Sequence, residues 1–257
     1  MKNYICIPFI SLCLLSTTSE KVYAYKYGLG SCLDQDREQS IWSAIKKENV
    51  DGFIFLGDNV YGDIPSGKLS KMKTAYQTQK DRLPRWLMDE KDILAIWDDH
   101  DFGINDGGGD YPFKQESEKM FLDFWKVQNS DPRRKREGIY FKQTKIIEGV
   151  EIDIIGLDTR YFRSKLKGKN KAYQPNNDSS ATILGQDQWD WLKSSIFNSS
   201  AEIIIILSSI QILATNHPYE KWDNFPLERN KLLNLMGIAA KDKTIIAVTG
   251  DRHKSGI

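Results

Sequence analysis

Three histidines occur in the chain, and each stands in a polar cluster: His100 in Trp97-Asp98-Asp99-His100-Asp101, His217 in Thr215-Asn216-His217-Pro218, and His253 in Thr249-Gly250-Asp251-Arg252-His253. Imidazole titrates near neutral pH and is the commonest metal ligand, so histidines beside carboxylates point to a hydrolytic metal site. The first cluster packs three carboxylates around one imidazole, with Asn105 and Asp106 close behind. Such a crowd repels itself unless cations or hydrogen bonds neutralise it. A solvated acidic turn is the plainer reading, but Trp97 and the apolar run before it anchor the segment. Asp251 and His253 stand at i and i+2, which an extended backbone directs to one side. In Gly57-Asp58-Asn59-Val60-Tyr61 the glycine permits a sharp turn that projects Asp58. A carboxylate there could bridge two cations or cap the following helix.

These groups need elements that deliver them to one place. Six apolar, β-branched-rich runs precede polar clusters, at residues 25–30, 52–56, 93–96, 152–157, 202–207 and 244–248. Runs of this length without strict alternation suit strands covered on both faces. Between them, residues 36–47, 115–127, 184–196 and 227–236 carry helical spacing. Their aromatic and leucine stripes read as core: Ile41, Trp42 and Ile45 in the first, Leu232, Leu233 and Leu235 in the last. Strand alternating with helix predicts an α/β domain, in which ligands gather at the carboxyl ends of strands. The clusters sit at those ends, so one composite active site is expected. Residues 164–180 read as a flexible loop, and the basic run 131–137 as a solvated one.

Lys plus Arg (36) nearly equals Asp plus Glu (35) over 257 residues, for a formal charge of +1. That balance argues against a stable nucleic-acid complex, and no P-loop is present. Residues 1–24 read as an export leader: Lys2, an apolar stretch from Tyr4 to Leu15, then Val22-Tyr23-Ala24 before the cleavage point. The stretch is too short to span a bilayer, and no later segment looks transmembrane. The expected product is a domain over 25–257 in a secreted or periplasmic compartment. Cys6 and Cys13 would leave with the leader, stranding Cys32 without a disulfide partner. It is then either a small buried hydrophobe or a metal-bound thiolate.

Read in order, Gly30-Ser31-Cys32, Leu56-Gly57-Asp58-Asn59-Val60-Tyr61, Trp97-Asp98-Asp99-His100-Asp101, Leu157-Asp158-Thr159-Arg160, Ser208-Ser209-Ile210-Gln211, the stretch from Glu220 to Arg229, and Gly250-Asp251-Arg252-His253 resemble the alkaline phosphatase D (PhoD-like) family of the calcineurin-like metallophosphatases. The resemblance covers residues 25–257. It implies a metallophosphatase-like two-sheet sandwich flanked by helices, and hydrolysis of phosphate mono- or diesters. It also implies an iron(III)–calcium (Fe3+, Ca2+) centre, with other divalent metals still open. Cys32, Asp58, Tyr61 and His253 would surround the iron with Asp58 bridging, while Asn105 and Asp251 serve the calcium. Iron(III) suits phenolate and carboxylate and tolerates thiolate, and calcium takes oxygen.

For in-line attack on phosphorus at such a centre, His100, oriented by Asp99 or Asp101, is expected to stabilise the transition state or protonate the leaving oxygen. Arg160 would clamp a phosphoryl oxygen, or else pair with Asp158. His217 would shape the substrate pocket or support it from behind. The sequence stops four residues after His253, where the family fold continues, so the resemblance implies an incomplete C-terminal part. A non-catalytic metal- or phosphate-binding relative, or a metallohydrolase acting on another ester, are the competing expectations.

Overall fold

The computed structural model describes residues 25–253. In chain order its elements are β1 (Tyr27–Gly30), α1 (Ile41–Lys47), β2 (Gly52–Leu56), α2 (Met72–Arg82), α3 (Arg85–Met88), β3 (Asp92–Ile96), α4 (Asp99–Phe102), α5 (Lys114–Phe124), β4 (Phe141–Ile147), β5 (Val150–Gly156), β6 (Lys167–Lys169), β7 (Ala172–Gln174), α6 (Gly185–Phe197), β8 (Ile203–Ser208), α7 (Pro226–Ala239) and β9 (Thr244–Thr249). The expected export leader, residues 1–24, lies outside the described residues.

Two sheets make the body. The first is parallel, in the order β1-β2-β3, and the second runs β4-β5-β8-β9, parallel except for the antiparallel β4–β5 pair. All five residues of β2 are buried, as a strand packed on both faces requires. Phe53, Ile54 and Phe55 join Phe141, Ile154 and Leu207 in one core, so the sheets meet face to face. The neighbours Ile155, Ile204 and Ile206 turn the other way, onto Trp189 and Leu192 of α6 and Leu232 and Leu235 of α7. Alternation along each strand thus serves two layers at once. The result is a metallophosphatase-like sandwich flanked by helices.

Every expected strand is present within a few residues. The helix expected over 36–47 is shorter, beginning at Ile41. Only Trp42 of its stripe is fully buried, and Ile41 is 54% exposed. Several elements escaped expectation, the short helices α3 and α4 among them. α2 (MKTAYQTQKDR) carries too few apolar residues for a helical stripe, and β4 is an edge strand with alternate residues exposed. The segment read as a flexible loop contains the β6–β7 hairpin, whose short strands have no apolar pattern to announce them. The basic run is not simply solvated either. Asp131 caps a 3-10 turn at Pro132–Arg134, and the Arg136 guanidinium lies 3.3 Å over the Tyr140 ring. Among the described residues no helix is long and apolar enough to cross a membrane.

Candidate metal centre and active site

The site begins where β2 ends. Gly57 has φ +99°, and a Cβ there would come within 2.6 Å of Asp98 Cβ, so the chain turns where only glycine fits. Asp58 follows at φ 54°. Left-handed backbone is uncommon outside glycine, yet Cys32, Asp58, Asp106, Asp251 and His253 all adopt it. Such positions concentrate at functional sites, where the surroundings hold them.

The carboxylate of Asp101 fixes this turn. It accepts from Asp58 N (3.3 Å), Asn59 N (3.2 Å), Asn59 Nδ2 and Asp98 N (2.6 Å). Asp101 is therefore committed to the backbone and does not orient His100. Asp99 is engaged elsewhere as well, accepting from Asp106 N at 2.6 Å. The ring of His100 instead places Nδ1 2.7 Å from Asp63 Oδ1. Burial works to lower the His100 pKa, but the bond to Asp63 and the charge of Asp99 outweigh it and raise it to about 9.

Three groups of donor atoms lie close enough to hold cations. The first is Cys32, Asp58 and His253, with the Tyr61 hydroxyl 3.3 Å from His253 Nε2. The Cys32 thiol lies 3.6 Å from Asp58 Oδ2 and 3.3 Å from the Asp251 carbonyl. The second is Asp58, Asp99 and His100, and the third Asp99, Asp106 and Glu220. Asp58 is common to the first two and Asp99 to the last two. All of these group members except Cys32 line a cleft of about 380 Å³, which Asn105 and Asp251 also line. Asn105 is exposed and donates to Asp106 Oδ2 at 2.6 Å.

The electrostatics show what the donors lack. Burial, with Asp99, Asp98 and the Cys32 thiol nearby, pushes the Asp58 carboxyl well above its usual range. Burial and Asp99 raise Asp251 to about 7, and burial lifts the Cys32 thiol to about 11. Ionising these groups together requires positive charge among them. The thiol, phenol, imidazole and bridging carboxylate fit a trivalent or borderline ion at one end. Carboxylates and an amide fit an oxygen-seeking ion at the other.

Arg160 departs from expectation. Its side chain is 1% exposed, and its Nε donates to Asp98 Oδ1 (2.7 Å) while its NH1 donates to Glu220 Oε2 (2.5 Å). A guanidinium closed in this way offers no face to a substrate oxygen. Nor does it pair with Asp158, whose Oδ1 takes the Arg160 backbone N–H and the Trp97 indole N–H, both at 2.9 Å. Glu220 opens one of the family-like motifs but had no role assigned from the sequence; its place beside Asp99 and Asp106 comes only from the fold. His217 joins none of the three groups, and both of its ring nitrogens are enclosed without a partner.

A family model described as PhoD-like phosphatase matches residues 29–257. The chain belongs to the PhoD-like phosphatase family. Among solved structures it resembles PhoD, with a TM-score of 0.70 and 19% identity over 89% of this chain and 51% of that one. It thus spans about half the length of the PhoD chain. A weaker likeness, TM-score 0.49 and 12% identity over 91% of this chain and 75% of the other, is to GAP50, described as the anchor in the inner membrane complex of Plasmodium. No curated protein sequence matches. At that identity the likeness to PhoD is one of fold.

Proposed function

We propose that this PhoD-like chain hydrolyses phosphate mono- or diesters at a centre of two or more cations. The observation that carries the reading is Asp58, whose carboxylate lies within 4.8 Å of the Cys32 and His253 donors on one side and of Asp99 on the other. In this reading Cys32, Asp58, Tyr61 and His253 hold iron(III), while Asp58, Asn105 and Asp251 serve calcium. Asp99, Asp106 and Glu220 offer a further all-oxygen position. Bound there, the cations would supply Lewis acidity toward the phosphoryl oxygens and a nucleophile at neutral pH.

The chain's own groups do the rest. With Nδ1 engaged by Asp63, His100 keeps Nε2 for the leaving oxygen, to which it can pass a proton. Arg160 acts at one remove, holding Asp98 and Glu220 in place from beneath the cleft floor. The leader reading of residues 1–24 belongs with this proposal, since a lone Cys32 is safe in an oxidising compartment when a metal holds it.

The test is turnover of bis-p-nitrophenyl phosphate by purified protein supplied with iron and calcium, against a chelated control. Chelator-sensitive release of p-nitrophenol is the expected result. A folded, metal-bearing protein that releases none would be a binding relative, and the catalytic reading would fall.

A further inference from the structure

Beside the reaction cleft lies a second cleft of about 390 Å³, between the loop after α4 and the β6–β7 hairpin. Asn105, Asp106 and Asn170 line both, so the two are continuous. The hairpin region carries Lys165, Lys167, Lys169 and Lys171, four cations at alternate positions. Lys167 and Lys169 belong to β6, Lys165 precedes it and Lys171 lies in the turn. Lys165 and Lys169 line the second cleft, while Lys171 lines the reaction cleft with Arg252. The ion-paired lysines of the described residues lie elsewhere, at Lys26, Lys119, Lys142, Lys145, Lys193 and Lys231.

The hairpin is tied to the centre. Tyr173 Oη donates to Asp106 Oδ2 at 2.6 Å, and Tyr173 N reaches the Pro218 carbonyl at 3.4 Å. Its two-residue turn puts Lys171 at φ 63°, where glycine or asparagine is the ordinary choice. Lys165 and Lys169 make no ion pair among the described residues, although Asp106 and Asp110 line the same cleft. Cations so placed, along a cleft that leads away from the reacting position, suit a ligand whose negative charge continues past the first phosphate.

We propose that Lys165 and Lys169 form a subsite for a second phosphate of the substrate, so that esters carrying a further phosphate beside the scissile one are preferred. The assignment rests on the phosphoesterase reading above for the position of the first phosphate. Lysines that merely offset the acidic centre would favour every anionic ester alike.

The experiment compares the p-nitrophenyl ester of thymidine 5′-phosphate with the same ester bearing a 3′-phosphate. The metal-loaded protein should prefer the second in kcat/KM by about tenfold, a size within reach of two charge-assisted contacts. In the double variant Lys165→Ala/Lys169→Ala that preference should fall to near unity. Removing two remote charges, Lys47→Ala/Lys241→Ala, should preserve it. An unchanged preference in the first variant, or no preference in the native protein, overturns the subsite. Calorimetry with thymidine 3′,5′-bisphosphate and thymidine 5′-monophosphate keeps the two readings apart. If neither ester turns over but the bisphosphate binds more tightly and loses that advantage in Lys165→Ala/Lys169→Ala, the subsite stands and the catalytic reading falls. Equal binding of the two nucleotides overturns the subsite.

Discussion

Asp63 holds the imidazole of His100 through a 2.7 Å contact to Nδ1, five residues downstream of the shared carboxylate Asp58. A carboxylate in this position fixes the ring and its tautomer, which leaves the opposite nitrogen for proton transfer. Asp63→Asn should therefore lower kcat by about 10–100-fold while KM and metal content stay near native. His100→Ala should lower it further, by about 10²–10⁴-fold. Steady-state kinetics with metal analysis on the same samples checks both. Loss of metal from His100→Ala would instead place His100 among the ligands.

Arg160 gives the opposite pattern. Removing it leaves Asp98 buried without its cation and Glu220 with Arg163 alone, and breaking such a buried pair costs about 3–5 kcal/mol. Arg160→Met should lose stability of that order in urea unfolding. Arg160→Lys should recover only part of it, because one ammonium cannot serve both carboxylates as the fork does. A raised KM with native stability would restore the phosphate-clamp role.

Metal loading should register in thermal unfolding independently of turnover. A ligand that binds only the native state at a hundredfold excess over Kd adds about 2.7 kcal/mol. Iron and calcium should raise Tm, and a chelator should reverse the gain. Asp58→Asn separates the contributions. Without metal it relieves a buried carboxyl whose pKa is pushed up, so Tm should equal or exceed native; with metal, most of the gain should vanish.

Glu118 supplies a pH test away from the ligands. Burial, then the charge of Asp158, raises its carboxyl to about 8 from the usual 4.5. Between those values the native state keeps a proton that the unfolded chain has released, so stability falls as pH rises through that window. Glu118→Gln removes the penalty. Its Tm advantage over native protein should be largest near pH 9 and disappear near pH 4, as read in melting curves across pH.

The strands and their polar ends were legible because long β-branched runs have few other uses, and the donor clusters follow those runs directly. Asp58, Asp99, Asp251 and His253 stand directly after such runs, whereas a ligand role for Cys32 comes only from the family resemblance. The partners of these residues could not be read from order. Asp63 meets His100, and Glu220 meets Asp99 and Asp106, through packing between segments far apart in the chain. The role of Arg160 turns on burial, and an arginine beside an aspartate looks the same in sequence whether its fork faces solvent or is sealed beneath the cleft floor. The β6–β7 hairpin was hidden for the opposite reason: its short, exposed strands bury too little to leave a pattern.

The contact between Cys32 and Asp251 joins residues 219 apart in the chain. During synthesis, the first donor emerges long before the last, and the two sheets must already be in register before the thiol meets its neighbours. Loops closed over such distances form late. In the proposed reading a cation held by Cys32 and its neighbours would then be taken up only after the two sheets have met, which makes loading a late event in the folding of the chain.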